Sequence, residues 1–259
     1  MKMLIPKLIN YPIFKRIVPS LIRKILKILN KNRGYFKVKG FQMYLDFLDP
    51  IDREIILFNE FEKEEINLLL KYLKANKSKI FLDIGSNCGY YSVLISSKKF
   101  IKKVYAFDPN QEANLKFKKT IKKNLEIKNK IKLYNFGLSN INSKLKVKSL
   151  RKNGYTQTGG TSIFRNYKKG TYIETLENFK KGDDILKFNN FSLGIKIDVE
   201  GYELQVLKGI RNILKNNKCI IQIEIFKQNY SKVHNFLSSM NFRLMKKNEK
   251  TSNYFFKSF

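Results

Sequence analysis

Tryptophan is absent from the 259-residue chain, histidine occurs once, at His234, and cysteine twice, at Cys88 and Cys219. Two cysteines cannot build a disulfide framework, and one histidine beside them leaves no cluster at zinc-ligand spacing, so no metal site is expected. Long apolar runs are missing too. No stretch approaches the ~20 residues of a membrane-spanning helix, and the opening MKMLIPKLINYPIFKR puts lysines and prolines where a secretory core would sit. Reduced thiols and a cytoplasmic location are the expectation. Arginine is scarce, supplying only eight of 52 basic residues. Because arginine is preferred for bidentate phosphate and base contacts, the net charge of +31 points first to compositional bias and a generally basic surface, with nucleic acid the lesser alternative.

Acidic residues are missing from the first 40 positions, which hold eleven basic ones, whereas positions 174–203 hold seven acidic against four basic. Something in the second window needs carboxylates. In the first, SLIRKILKIL (20–29) sets apolar residues at 21, 22, 25, 26, 28 and 29 against basic ones at 23, 24 and 27, with Ser20 as N-cap. That is a short basic amphipathic helix, read either as an arm packed on the protein or as a peripheral attachment to an anionic membrane surface.

At 43% hydrophobic and 28% charged, the chain can bury one sizeable core. We expect a basic arm over 1–34, a hairpin about Gly40 and a helix from Glu60 to Leu73 within 35–78, and one main domain over 79–259. In that domain, KIFLDIG (79–85), KVYAFD (103–108), KIKLYNF (130–136), LGIKIDV (193–199) and CIIQIEI (219–225) are strand-like. Helical stretches near Tyr90–Lys98, Gln111–Leu125, Tyr202–Lys208 and Tyr230–Met240 separate them. Alternation of this kind predicts an α/β fold, a mostly parallel twisted sheet with helices on both faces. The last residues predict an antiparallel hairpin turning at 248–252. The stretch 139–172, rich in Gly, Thr, Ser and Asn, reads as a β excursion with a loop over the site.

Ligands of such sheets bind beyond the carboxyl ends of the strands at the switch point. The loop there is Asp83-Ile84-Gly85-Ser86-Asn87-Cys88-Gly89-Tyr90. A dinucleotide fingerprint needs glycine at 87 and 90 as well, and a P-loop needs Gly-Lys-Ser/Thr; neither is present. The loop suits a smaller anion such as an amino-acid carboxylate, which favours S-adenosylmethionine over NAD. Asp108, 25 residues beyond Asp83, can accept hydrogen bonds from ribose hydroxyls. In KIDVEGYE (196–203), Asp198 falls at the carboxyl edge of a buried strand, and Glu224 on the next strand could join it. A buried carboxylate without a cationic partner has a raised pKa and can take a proton from a hydroxyl. Glu200 and Glu203 have a plainer explanation at a helix start.

FLDIGSNCGYYSVLIS, VYAFDPN, LGIKIDVEGYELQVLKGI and IQIEIF, with the upstream Phe61-Glu62 pair, closely resemble segments of FkbM-family methyltransferases. The resemblance covers most of 44–226. It implies a Rossmann-like class I methyltransferase domain using S-adenosyl-L-methionine, often to methylate oxygen on sugars or secondary metabolites. By position it places Asp83, Gly85, Asn87 and Gly89 against the cofactor, Asp108 at its ribose, and Asp198 with Glu200 at the reacting end. Aspartate at 108 stands where glutamate is common, and Cys88 where an aliphatic residue is. The expected activity is O-methylation of a glycan or small-molecule hydroxyl. The alternatives are an RNA methyltransferase, or an inactive methyltransferase-like module binding membrane or nucleic acid.

Overall fold

The computed structural model describes residues 32–152, 155–164, 167–168, 170–248 and 251–258. The amphipathic stretch 20–29 and its membrane reading lie outside them. Among the described residues no helix is long and apolar enough to cross a membrane.

The elements run β1 (Arg33–Val38), β2 (Phe41–Asp46), α1 (Pro50–Phe58), α2 (Lys63–Ala75), β3 (Ile80–Ile84), α3 (Tyr90–Ser96), β4 (Lys103–Phe107), α4 (Gln111–Lys123), α5 (Leu125–Lys128), β5 (Ile131–Tyr134), β6 (Gly137–Ser139), β7 (Ser143–Lys152), β8 (Tyr155–Thr156) and β9 (Tyr172–Lys181). They continue as α6 (Gly182–Ile185), β10 (Ser192–Ile197), α7 (Glu203–Gly209), α8 (Arg211–Asn216), β11 (Lys218–Glu224), α9 (Tyr230–Ser239), β12 (Phe242–Asn248) and β13 (Asn253–Ser258).

Seven strands form the central sheet in the order β12-β13-β11-β10-β3-β4-β5. β11, β10, β3, β4 and β5 are parallel; β13 pairs antiparallel with both β11 and β12, which is the expected terminal hairpin inserted so that only β13 runs against the rest. The middle strands are buried on both faces, so they read as continuous apolar runs rather than alternating ones. Side chains still alternate between two core clusters: Leu82, Ile84 and Ile221 pack with Val206 and Leu207, while Phe81 and Ile220 pack with Leu69, Leu73 and Phe117.

The hairpin β1–β2 extends the second cluster through Val38, Met43 and Leu45 and is tied to α4, where Tyr44 N donates to Thr120 Oγ1 and Gln42 N to Asn124 Oδ1, both at 2.9 Å. Two local readings differ from the expectation. α2 begins at Lys63 because Glu62 takes a left-handed backbone (φ 45°) that no helix continues. α1 was not foreseen; Asp49 caps it by accepting from Ile51 N, and Pro50 fits its first turn. The second sheet, β6-β9-β7-β8, spans Gly137–Lys181 and contains the stretch 139–172.

Candidate active site

The strand order reverses between β3, which leads out to β4 and β5, and β10, which leads to β11. Register then decides which residues meet there. Ala106, Asp83, Lys196 and Gln222 stand side by side across four strands. One residue beyond the last paired positions of β4, β3 and β10 come Asp108, Gly85 and Asp198, and at the end of β11 Glu224 pairs with Asn253. Three carboxylates from three strands therefore line one edge, interrupted by a residue with no side chain.

A cleft of about 690 Å³, its open mouth included, lies over Asp108, Gly85 and Asp198 and is lined by them with Asn87, Glu200 and Thr158–Thr161 of the second sheet's loop; Glu224 is not among its lining residues. Asp83 and Gly89 stand behind it. The Asp83 carboxylate accepts from Ser92 Oγ at 2.6 Å and is buried, and a Cβ at Gly89 would meet the Phe117 ring at 2.2 Å. Both shape the loop from beneath.

Asp108 is held by backbone donors on both oxygens: Asn87 N reaches Oδ2 and Asn110 N reaches Oδ1, each at 2.8 Å. Burial pushes its pKa up to about 6, against those two hydrogen bonds. Asp198 has a partner that the sequence did not disclose. Lys196 Nζ donates to its Oδ2 at 2.7 Å and also sits 4.6 Å from the centroid of the Tyr91 ring. Burial works against that ammonium, yet Asp198, Glu62 and Asp83 outweigh it and hold the lysine charged. Burial raises Glu62 and Asp83 in turn, with Lys196 pulling the other way. Glu224 is pushed up to about 9 by burial, then by the charge of Asp198 and a hydrogen bond to it. One buried lysine thus serves several carboxyl groups, which outnumber it along this edge.

The profile of the Methyltransferase FkbM domain matches residues 83–244. The chain belongs to the FkbM methyltransferase family. A curated relative, the hexuronic acid methyltransferase AglP of Haloferax volcanii, is 27% identical over 167 residues, 62% of this chain and 62% of that protein. The chain thus matches somewhat less than two thirds of that relative's length. The crystal structure of methyltransferase FkbM from Methylobacillus flagellatus superposes with a TM-score of 0.51 and 17% identity over 70% of this chain and 44% of that one, a likeness of fold.

Around the FkbM domain the structure adds residues that the motifs did not name. Thr158 donates to Asp49 Oδ2 from its N (2.8 Å) and its Oγ1 (2.9 Å), lies 2.6 Å from Asn87 Oδ1, and accepts from Lys116 Nζ at 2.9 Å. Lys116 also pairs with Asp52 at 2.6 Å. This buried cluster fastens the loop of the second sheet to the glycine loop, α1 and α4 at once. Glu62 accepts from Tyr91 Oη at 2.6 Å, and Tyr91 accepts in turn from Gln222 Nε2 at 2.9 Å, which gives the upstream aromatic-Glu pair a place under Lys196. A lysine and a glutamine inside strands that are otherwise apolar were the available signal for that network. Glu203 accepts from Gly201 N at 2.7 Å, and burial raises it to about 7. Among the described residues no group of three His, Cys, Asp or Glu side chains is arranged to hold a metal ion.

Proposed function

We propose that the protein is an S-adenosyl-L-methionine-dependent O-methyltransferase whose acceptor is a hydroxyl of a glycan or secondary metabolite. The observation that carries this reading is the gathering of Asp108, Asp198 and Glu224 at the ends of β4, β10 and β11, with buried Lys196 paired to Asp198. A surplus of carboxylate favours a cationic ligand and opposes the pyrophosphate of a dinucleotide. The residues suit the cofactor: Asp108 would accept from ribose hydroxyls while keeping its backbone donors, and Gly85 to Asn87 would meet the amino-acid end. When bound, the cofactor supplies a methyl group already electrophilic on its sulfonium. The chain must then align the acceptor oxygen and take its proton.

Asp198 and Glu224 suit that task as a pair. Burial and the charge of Asp198 make Glu224 hold its proton more tightly, and the two carboxyl groups share a hydrogen bond at the place where the acceptor's proton must go. Lys196 fixes one oxygen of Asp198. The curated relative is named for hexuronic acid methylation, which supports a sugar-type acceptor. Calorimetry with S-adenosylmethionine, S-adenosylhomocysteine and NAD tests the cofactor assignment. The first two should bind and NAD should not, and Asp108→Ala should weaken binding by about 1 to 3 kcal/mol, the scale of hydrogen bonds to a charged group. Unchanged affinity in that variant would remove Asp108 from the site.

A further inference from the structure

Glu200 lines a second, wider groove as well as the cleft. This groove encloses about 1220 Å³, its open mouth included, and is walled by Phe164 and Phe226 with Lys227, Gln228 and Asn229 at its rim. Gly201 is its floor. A Cβ built there would lie 3.8 Å from the Phe164 ring and 3.8 Å from the Phe226 ring, so both rings reach toward one point above a residue without a side chain.

Phe164 is 58% exposed, yet it is tied to its neighbours. Ser162 Oγ donates to Glu200 O at 2.7 Å, Phe164 N donates to Ser162 Oγ at 3.2 Å, and the ring packs on Tyr202 with centroids 5.5 Å apart. On the other side, Asn229 Nδ2 donates to Gly201 O at 3.3 Å. A held aromatic face left in water beside a cleft is suited to an apolar surface that arrives later.

Resting on the methyltransferase reading, the geometry points to this groove as the acceptor subsite, built for a sugar ring. A pyranose has apolar C–H faces, which suit the two phenylalanine rings, and a dense rim of hydroxyls, which suits Glu200, Lys227, Gln228 and Asn229. A flat aromatic acceptor would leave that polar rim without partners, and a nucleic acid would bring phosphates against Glu200. Because Glu200 borders both spaces, a ring held here presents its hydroxyl edge to the cofactor cleft.

The test is saturation-transfer NMR on the full chain with S-adenosylhomocysteine present, using methyl β-glucoside and methyl β-glucuronide as probes. At least one should receive saturation on its ring C–H protons. Phe164→Ala and Phe226→Ala should each cut that signal about fivefold or more, the scale of one aromatic contact, with the calorimetric affinity for S-adenosylhomocysteine retained. Phe164 is exposed, so its variant keeps the fold in any case. Retained cofactor binding with no saturation of either sugar, or saturation indifferent to both substitutions, overturns the subsite. Failure of the wild-type protein to bind S-adenosylhomocysteine overturns the cofactor reading instead.

Discussion

A Cβ on Gly85 would lie 1.8 Å from the carbonyl oxygen of Asp198. The glycine loop and the end of β10 are therefore in backbone contact at the switch point, an approach reinforced by Asp198 N donating to Ile84 O at 2.9 Å. Glycine at 85 is demanded twice, by this contact and by its φ of 86°. Whatever displaces Gly85 displaces the carboxylate of the candidate base.

Gly85→Ala should accordingly be far more damaging than a glycine substitution that meets strain alone. Gly40→Ala is the control: its φ is 96°, but nothing lies within 4 Å of the added carbon. We expect the control to cost about 1 to 2 kcal/mol, and Gly85→Ala to cost about 3 kcal/mol or more with loss of S-adenosylhomocysteine binding. Urea unfolding with calorimetry measures both. Equal costs in the two variants would show that the Asp198 contact is soft.

Thr158→Val tests the fastening of the loop. The substitution keeps the volume but removes the hydroxyl between Asp49, Asn87 and Lys116, leaving buried polar partners short of a bond. We expect a loss of about 1 to 3 kcal/mol in stability and weaker cofactor binding, because Asn87 loses its support. Proteolysis within 155–164 should quicken in the variant. Unchanged cleavage and affinity would mean that backbone contacts alone hold the loop.

Glu203 gives a pH test whose sign is fixed. Its pKa is raised from 4.5 to about 7, chiefly by burial, so the folded state binds its proton more tightly than the unfolded state. Stability from this group is full below about pH 4.5 and is lost as pH rises toward 7. Glu203→Gln removes that loss while keeping an oxygen to accept from Gly201 N. Melting curves of the variant and the wild type should agree near pH 4.5 and separate above it, the variant being more stable at pH 8 by up to about 3 kcal/mol. A gap that is the same at both pH values would assign the effect to packing.

Much of the fold was legible because the central strands are buried on both faces: IFLDI, SLGIKI and KCIIQIE are apolar runs too short for helices, each bounded by polar residues. The carboxylate edge was legible for a related reason, since an acid at the end of such a run has few purely structural roles. The missing parts depend on long-range partners. Lys196, two residues before Asp198 and on the same strand face, was the local signal for their pair, but nothing near it announces that Glu62 joins from the start of α2. Thr158 lies 109 positions from Asp49, so the loop cluster has no local pattern. β9 escaped notice because its face alternates weakly, with only Phe179 and Glu177 buried within a mostly exposed strand.

The decisive prediction concerns the proton. If a neutral hydroxyl is the acceptor, the Asp198–Glu224 pair must receive its proton as the methyl group arrives, and removing the charge should slow transfer without abolishing cofactor binding. Asp198→Asn is expected to lose ~10²-fold or more in kcat, within the usual range for general-base catalysis. Glu224→Gln should lose rate as well, and the double variant should lose little beyond the worse single, because groups that act as a unit are not additive. A merely structural role would give additive losses and a parallel loss of S-adenosylhomocysteine affinity. Lys196→Met separates the two further: without the ammonium the Asp198 proton is released less readily, so the acidic limb of the pH–rate profile should move to higher pH. An RNA acceptor predicts another pattern, in which transfer collapses with added salt as each phosphate contact releases counterions, by roughly 0.7 to 0.9 in the logarithm of affinity per contact per decade. Labelled methyl transfer to total RNA that disappears in moderate salt and after ribonuclease would overturn the glycan reading. Transfer to an oligosaccharide fraction that tolerates salt and fails in Asp198→Asn would leave the carboxylate pair as the base.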